Sequence, residues 1–291
     1  MTKQSLHKRL PLFLRKTAGN PVRIHSVKKI LREEKVHTVC EEARCPNLSE
    51  CFSEDTATFL LLGDVCTRKC SFCAVRKGTP GLPDREEPGR VAGAVGRLGL
   101  SHVVLTSVTR DDLPDGGAGQ FAFTVKEIHS KHPNVTIEAL TPDFKGDESC
   151  VRRIISEGVA IFGHNLETVP GLYRRVRPMA DYKTSLHIIS SAKNASSKVL
   201  TKSGIMVGLG ETKKEVIGVM RDLRQAGCDI VTIGQYLRPD KESMAVQRYV
   251  EPGEFDEYRL EGKTMGFMKV LSGPFVRSSY HAKMTLINKI S

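Results

Sequence analysis

Six of the eight cysteines in this 291-residue chain fall between positions 40 and 73. They form two triplets, Cys40-EEAR-Cys45-PNLSE-Cys51 and Cys66-TRK-Cys70-SF-Cys73. The apolar stretch Leu10 to Leu14 is too short for a secretory signal, so clustered thiols read as metal ligands rather than disulfides. A closed structural zinc site takes four ligands and usually pairs them in C-x2-4-C units. Two groups of three do not divide that way. Iron–sulfur cubes accept thiolates at short, loop-compatible spacings and normally take four. Each triplet is therefore one ligand short, and the fold must bring a fourth donor from elsewhere or leave a position open. Cys150 and Cys228 stand alone and read as small buried apolar residues.

Beyond the cysteines, short apolar runs alternate with helical stripes. Strands are expected over Thr58 to Leu62, His102 to Ser107, Val135 to Leu140, Val159 to His164, Gly204 to Leu209 and Asp229 to Gly234. Helical patterns lie between them, as in Phe121 to Lys131, Glu148 to Glu157 and Lys213 to Ala226. The last carries Val216, Val219, Met220 and Leu223 on one face. Six βα units in succession imply an α/β fold with a parallel sheet, either a partial (β/α)6 barrel or a doubly wound sheet. In both, chemistry belongs at the carboxyl ends of the strands, where the second cysteine triplet falls. Thr106 to Gly119, Thr141 to Gly146, His164-Asn165 and Gly208 to Thr212 converge on the same rim, although each alone reads as an ordinary turn. Residues 1–55 then form an N-terminal extension, 56–240 the barrel, and 241–291 a C-terminal extension with a helix over Phe255 to Met265 and a short strand at Lys269 to Leu271.

The net charge of +11 is local. Residues 1–32 hold nine Lys and Arg and no acid, which leaves 35 basic against 33 acidic residues elsewhere. This arm suits an acidic partner. No aromatic-interleaved basic stripe indicates nucleic acid, and no apolar run nears the ~18 residues of a membrane span. Scarce Ser, with Pro11 and Pro21 breaking any long helix, argues against a transit peptide, and a cytoplasmic location is expected.

The C-x3-C-x2-C triplet, with Phe72 before its last cysteine, resembles the signature of radical S-adenosylmethionine (SAM) enzymes. That resemblance implies a 4Fe–4S cluster on Cys66, Cys70 and Cys73 whose open iron is chelated by the cofactor. With both triplets in view, the chain resembles the lipoyl synthase family from about Arg9 to His281. The likeness rests on HTVCEEARCPNLSEC (37–51), CTRKCSFC (66–73), TSVTRDDLPDGGA (106–118), HNLETVPGLYRRVRP (164–178), KSGIMVGLGET (202–212) and RSSYHA (277–282).

The family resemblance implies a radical-SAM barrel and a second, auxiliary 4Fe–4S cluster on Cys40, Cys45 and Cys51. Its fourth ligand would be Ser279, whose oxygen is harder than thiolate and suits a cluster that must be dismantled. The reaction implied is insertion of two sulfur atoms at carbons 6 and 8 of an octanoyl chain on a lysine of a lipoyl carrier domain, in lipoate biosynthesis. Unactivated C–H bonds require a cofactor radical. The auxiliary cluster would be consumed as sulfur donor. Partners implied are acidic octanoylated carriers, an electron donor such as flavodoxin or ferredoxin, and an iron–sulfur carrier for repair. By analogy with the superfamily, Thr106, Ser107, Glu138 and Asn165 are expected to contact SAM, Arg277 to orient Ser279, and Arg174, Arg175 and Arg177 to meet a carboxylate or an acidic carrier. The chain departs from the family in lacking tryptophan, with Phe13 and Phe52 in its usual places, in Gly163, and in Lys241 to Val246. None of these removes a cluster ligand. Methylthiotransferases and biotin synthase are disfavoured by the position of the first triplet and by RSSY; a ferredoxin-like carrier or a zinc-bearing nucleic-acid binder is disfavoured by the barrel and the confined charge.

Overall fold

In the computed structural model, residues 10–16, 18–54 and 56–280 are described. The basic residues Lys3, Lys8 and Arg9, and His281-Ala282 after RSSY, lie outside them. Among the described residues ten strands occur: β1 (His37–Thr38), β2 (Thr58–Leu61), β3 (Val65–Cys66), β4 (Arg76–Lys77), β5 (His102–Ser107), β6 (Thr136–Leu140), β7 (Ile161–Gly163), β8 (Leu200–Val207), β9 (Ile230–Gln235) and β10 (Lys269–Gly273). The main sheet runs β1-β2-β5-β6-β7-β8-β9-β10, parallel throughout except for antiparallel β1, while β3 and β4 form a separate pair. Strand order therefore follows chain order. A doubly wound sheet reverses direction at a switch point, so the sheet is of the barrel type.

Helices Glu87–Arg97, Ala118–Lys131, Glu148–Ser156, Tyr182–Ala195, Lys213–Gln225 and Pro252–Thr264 fill the six crossovers. Their starts are written locally. Asp181 accepts from Thr184 N at 2.8 Å, and Thr212 and Glu215 cap each other's backbone in a capping box. Every residue of β2 and β9 is buried, as parallel strands covered on both faces require. No helix among the described residues is long and apolar enough to cross a membrane.

Two expectations shift. The sheet does not stop near 240, because β10 pairs in parallel with β9 from Lys269↔Ile230 to Gly273↔Gly234. And β8 begins at Leu200, four residues before its apolar run. Thr201, Lys202 and Ser203 conceal that beginning in the sequence, yet all three are buried. Thr201 bonds to Asp229, and Lys202 Nζ donates to both Glu138 oxygens at 2.9 Å.

That last pair corrects a site assignment. Glu138 is fully buried within the sheet and committed to Lys202, and it does not line the cavity described below, so it is withdrawn as a SAM contact. Burial pushes its carboxyl pKa up, and the Lys202 ammonium opposes that shift. Lys202→Met strands a buried carboxylate and is expected to destabilise the protein by about 3–5 kcal/mol. Pairing it with Glu138→Leu should recover most of that loss. A single variant that unfolds at the wild-type urea midpoint would exclude a charged pair.

Candidate active site: two thiol triplets around one cavity

At the end of β2 the chain turns through left-handed Leu62 (φ 68°) and Gly63 (φ 81°). The buried Glu87 carboxylate accepts the Leu62 N–H at 2.9 and 3.0 Å and the Gly63 N–H at 3.3 Å, which holds the turn. The turn delivers the chain into β3 and the second cysteine loop. Thr67 is tied to Thr109 O through its N–H and hydroxyl, and Ser71 N–H donates to Val176 O. The N–H groups of Arg68 and Thr109 point at Cys66 Sγ, at 3.4 and 3.3 Å. Such N–H···S contacts favour a thiolate and tune a cluster's potential.

Arg68 locks this loop to its neighbours. Its guanidinium donates twice to Asp111 (2.7 and 2.9 Å) and twice to Asp143 (2.5 and 2.6 Å), with only 6% of its side chain exposed. Burial alone would raise the Asp143 carboxyl, but the Arg68 bonds and charge bring it down to about 2. The sequence reading assigned Arg68 no role. An arginine inside a cysteine loop, with aspartates in two other strand-end loops, was the available signal.

The first triplet is placed by β1, which pairs antiparallel with β2 through His37↔Leu60 and Thr38↔Phe59. A short helix, Val39–Glu42, follows with Thr38 as its N-cap. The chain then reverses through left-handed Arg44 (φ 50°), so that Cys45 N–H returns to Cys40 O. Helix Leu48–Ser53 carries Cys51.

The C-terminal turn closes over this region. Gly204 on β8 and Gly234 on β9 make room for it: a Cβ on Gly204 would lie 2.6 Å from Ser278 Oγ, and one on Gly234 would lie 2.0 Å from Val276 O. Asn47 Nδ2 donates to Phe275 O at 2.8 Å, Tyr280 bonds to Glu50, and Lys16 sits over the Phe275 and Tyr280 rings. Ser278 Oγ donates to Asn165 Oδ1 at 2.9 Å, whereas the Ser279 side chain makes no hydrogen bond among the described residues. Arg277 does not orient Ser279. It donates to Val276 O, and its charge faces Cys45 and Glu167.

The second triplet, Cys66, Cys70 and Cys73, borders a cavity of about 330 Å3 that Cys45 of the first triplet also lines, with Ser278-Ser279 at its rim. Phe72 lines it, together with Thr106, Ser107 and Asn165, three of the residues expected to contact SAM. Of the three arginines, Arg174 and Arg175 are exposed. Arg177 is buried and spent on Asn165 O, Leu166 O and Tyr173.

The donor sets fit iron–sulfur clusters. Within each triplet the thiols lie in one another's electrostatic reach. Burial, reinforced by the neighbouring thiols, pushes Cys40, Cys51 and Cys73 up to about 12. A cationic centre relieves that cost by taking thiolates and releasing protons. Among the described residues no three His, Cys, Asp or Glu side chains converge on a single ion. A cube, whose irons sit at separate corners, holds its thiolates farther apart than one ion does. The buried Ser107 Oγ, with no partner on this wall, fits a polar ligand in the cavity.

A profile of the Radical SAM superfamily matches residues 60–223. The barrel is similar to methylornithine synthase (TM-score 0.52, 17% identity, 73% of this chain and 70% of that one) and to HydG, a maturase of the FeFe hydrogenase (TM-score 0.55, 14%, 77% and 58%). Those likenesses concern the fold alone. The sequence is 54% identical to the lipoyl synthase of Caldanaerobacter subterraneus subsp. tengcongensis, over 90% of this chain and 92% of that one. It is 50% identical to that of Serratia proteamaculans (92% and 84%) and 48% to lipoyl synthase 2 of Gloeobacter violaceus (97% and 98%). An identity near one half, sustained over nine-tenths or more of the chain, leaves one conclusion: the chain belongs to the lipoyl synthase family of radical SAM enzymes.

Proposed function

We propose that this enzyme inserts two sulfur atoms into an octanoyl chain held on a lysine of a lipoyl carrier domain, with Cys66, Cys70 and Cys73 holding the SAM-binding cluster and Cys40, Cys45, Cys51 and Ser279 a second, sulfur-donating one. The observation that carries this reading is one cavity bordered by Cys66, Cys70 and Cys73, by Cys45 of the other triplet, and by Ser279, whose side chain makes no hydrogen bond among the described residues. When bound, the two clusters and SAM supply the hydrogen-abstracting power and the sulfur that no side chain can provide.

The chain's own residues hold, orient and exclude. Arg68, Thr67 and Ser71 fix the open-iron loop against three strand-end loops. Val75, Val108, Ile205 and Met206 give the cavity an apolar wall suited to an alkyl chain and to excluding water. Asn165, through Ser278, keeps the C-terminal turn seated while leaving Ser279 free to bind and release iron. At the rim, Arg44 pairs with Asp240 at 3.4 Å across two loops and is well exposed. The basic N-terminal segment and the exposed Arg174 and Arg175 suit an acidic carrier. A low-potential donor such as flavodoxin or ferredoxin, and an iron–sulfur carrier that rebuilds the second cluster, complete the partners of this reading.

The test is an anaerobic single turnover of iron-loaded protein with an octanoyl-lysine peptide, SAM and a strong reductant, with products read by mass. A dithiolane peptide alongside deoxyadenosine is the expected result. Deoxyadenosine without sulfur insertion would retain the radical chemistry and remove the substrate.

A further inference from the structure

Of the arginines that line the cavity, three are mostly buried: Arg68, Arg177 and Arg277. Two of them are matched. Arg68 is clamped by two carboxylates, and Arg177 donates to Asn165 O, Leu166 O and Tyr173. Arg277 is not. Its guanidinium stands over Gly234 near the end of β9, where a Cβ would lie 3.0 Å from Nη1, and Nη1 donates to Val276 O at 2.6 Å. Its side chain has no other hydrogen bond and no ion pair among the described residues. A guanidinium stays protonated in proteins and presents five N–H donors, so most of this one's capacity is unspent. Burial lowers its pKa, and the charges of Cys45 and Glu167 oppose that shift. Glu167 is already engaged by Asn165 Nδ2 at 2.9 Å. The segments that carry Cys45 and Arg277 touch directly, because Asn47 Nδ2 donates to Phe275 O at 2.8 Å. A charge taken out of water is costly unless an anion meets it.

We propose that Arg277 is the counter-charge of the auxiliary cluster, offsetting the negative charge that the site of Cys40, Cys45, Cys51 and Ser279 acquires when loaded and so raising that cluster's reduction potential. The assignment rests on the two-cluster reading of the cavity. Three thiolates and an alkoxide outweigh the charge of a 4Fe–4S core, so the loaded site is an anion beside this cation. Net charge and hydrogen bonds to the sulfurs are among the quantities that set a cluster's potential. The other triplet has cations of its own. Burial raises the Cys70 thiol, and the Arg177 and Arg68 charges oppose that rise. Arg277 stands two residues before Ser279, so one turn brings the fourth ligand and the counter-charge together.

Anaerobic film voltammetry of the loaded full chain tests this without turnover. SAM moves the wave of the cluster it ligates, and the wave it leaves in place is the auxiliary one. A nearby opposite charge moves a side chain's ionisation tenfold or more, and the same field acts on an added electron. Arg277→Gln should therefore lower the auxiliary reduction equilibrium about tenfold, a move of ~59 mV to more negative potential for one electron. Arg277→Lys, which keeps the charge, should recover most of that shift. Where the glutamine variant loses iron, retention under chelator is read instead, and the lysine variant should outlast it. Equal behaviour of the two variants would mark lost packing of the turn and overturn the proposal. So would an auxiliary wave at the wild-type potential in Arg277→Gln; if the SAM-dependent wave moves instead, the guanidinium serves SAM. A single wave in wild type, moved by SAM, would remove the two-cluster reading itself, an outcome distinct from the others.

Discussion

Replacing Cys70 with alanine is expected to abolish deoxyadenosine formation while leaving the other cluster in place. The loop between Cys66 and Cys70 cannot slide to offer a substitute. Thr67 is held to Thr109, Ser71 to Val176, and Arg68 is clamped between Asp111 and Asp143. Cys66 and Cys73 alone give two thiolates, too few to hold a cube. Loss of an outer partner already costs a metal site up to about a hundredfold, so removal of a ligand should cost more than that. The first triplet is built on β1 and two short helices with no bond to Cys70, so its cluster should persist. The readouts are deoxyadenosine by chromatography and cluster content by iron, sulfide and Mössbauer analysis. Deoxyadenosine at the wild-type rate would place the radical site elsewhere.

Ser279→Ala should separate the two halves of the reaction. The C-terminal turn stays seated without that hydroxyl, because its bonds run through Ser278 to Asn165, Phe275 to Asn47 and Tyr280 to Glu50. SAM cleavage should therefore stay within about twofold of wild type, while dithiolane yield falls by more than about tenfold, the lower end of the loss expected at a metal site. Ser279→Cys sharpens the comparison. A thiolate is the softer ligand, so this variant should retain iron under chelator challenge longer than wild type and still give less product. Normal yield from Ser279→Ala would remove the serine from the ligand set. A cleavage rate that falls in parallel with yield would mean that the turn, rather than the hydroxyl, had been lost.

Much of the architecture was legible in the chain. Helical stripes such as Val216–Val219–Met220–Leu223 and the apolar strands gave the alternation, because burial on both faces of a parallel sheet demands continuous apolar runs. Cysteine spacing gave the two triplets, because short loops bring neighbouring thiols together whatever surrounds them. What stayed hidden was polar. The start of β8 carries Thr201, Lys202 and Ser203, whose polarity hides the strand until Asp229 is found to satisfy Thr201, Glu138 to satisfy Lys202 and the Leu166 N–H to meet the Ser203 hydroxyl. The same pairing withdrew Glu138 from the cofactor, since sequence places a residue on a strand but not the partner its charge will meet.

The sequence by itself determined the chemistry that six clustered thiols require, a parallel α/β sheet, and a family likeness reaching to the RSSY serine. These follow from local spacing and period, which survive any arrangement of the rest. Only the tertiary structure decided that strand order is sequential, that β10 extends the sheet, and that Gly204 and Gly234 leave room for a turn more than forty residues downstream of either. It also distinguished Ser278, spent on Asn165, from Ser279, and placed His164 beside the cavity with Nδ1 turned to Thr141 O. Those are facts about which distant groups meet. Hydrogen-bond satisfaction and close packing are settled between residues far apart in the chain, so no local pattern encodes them.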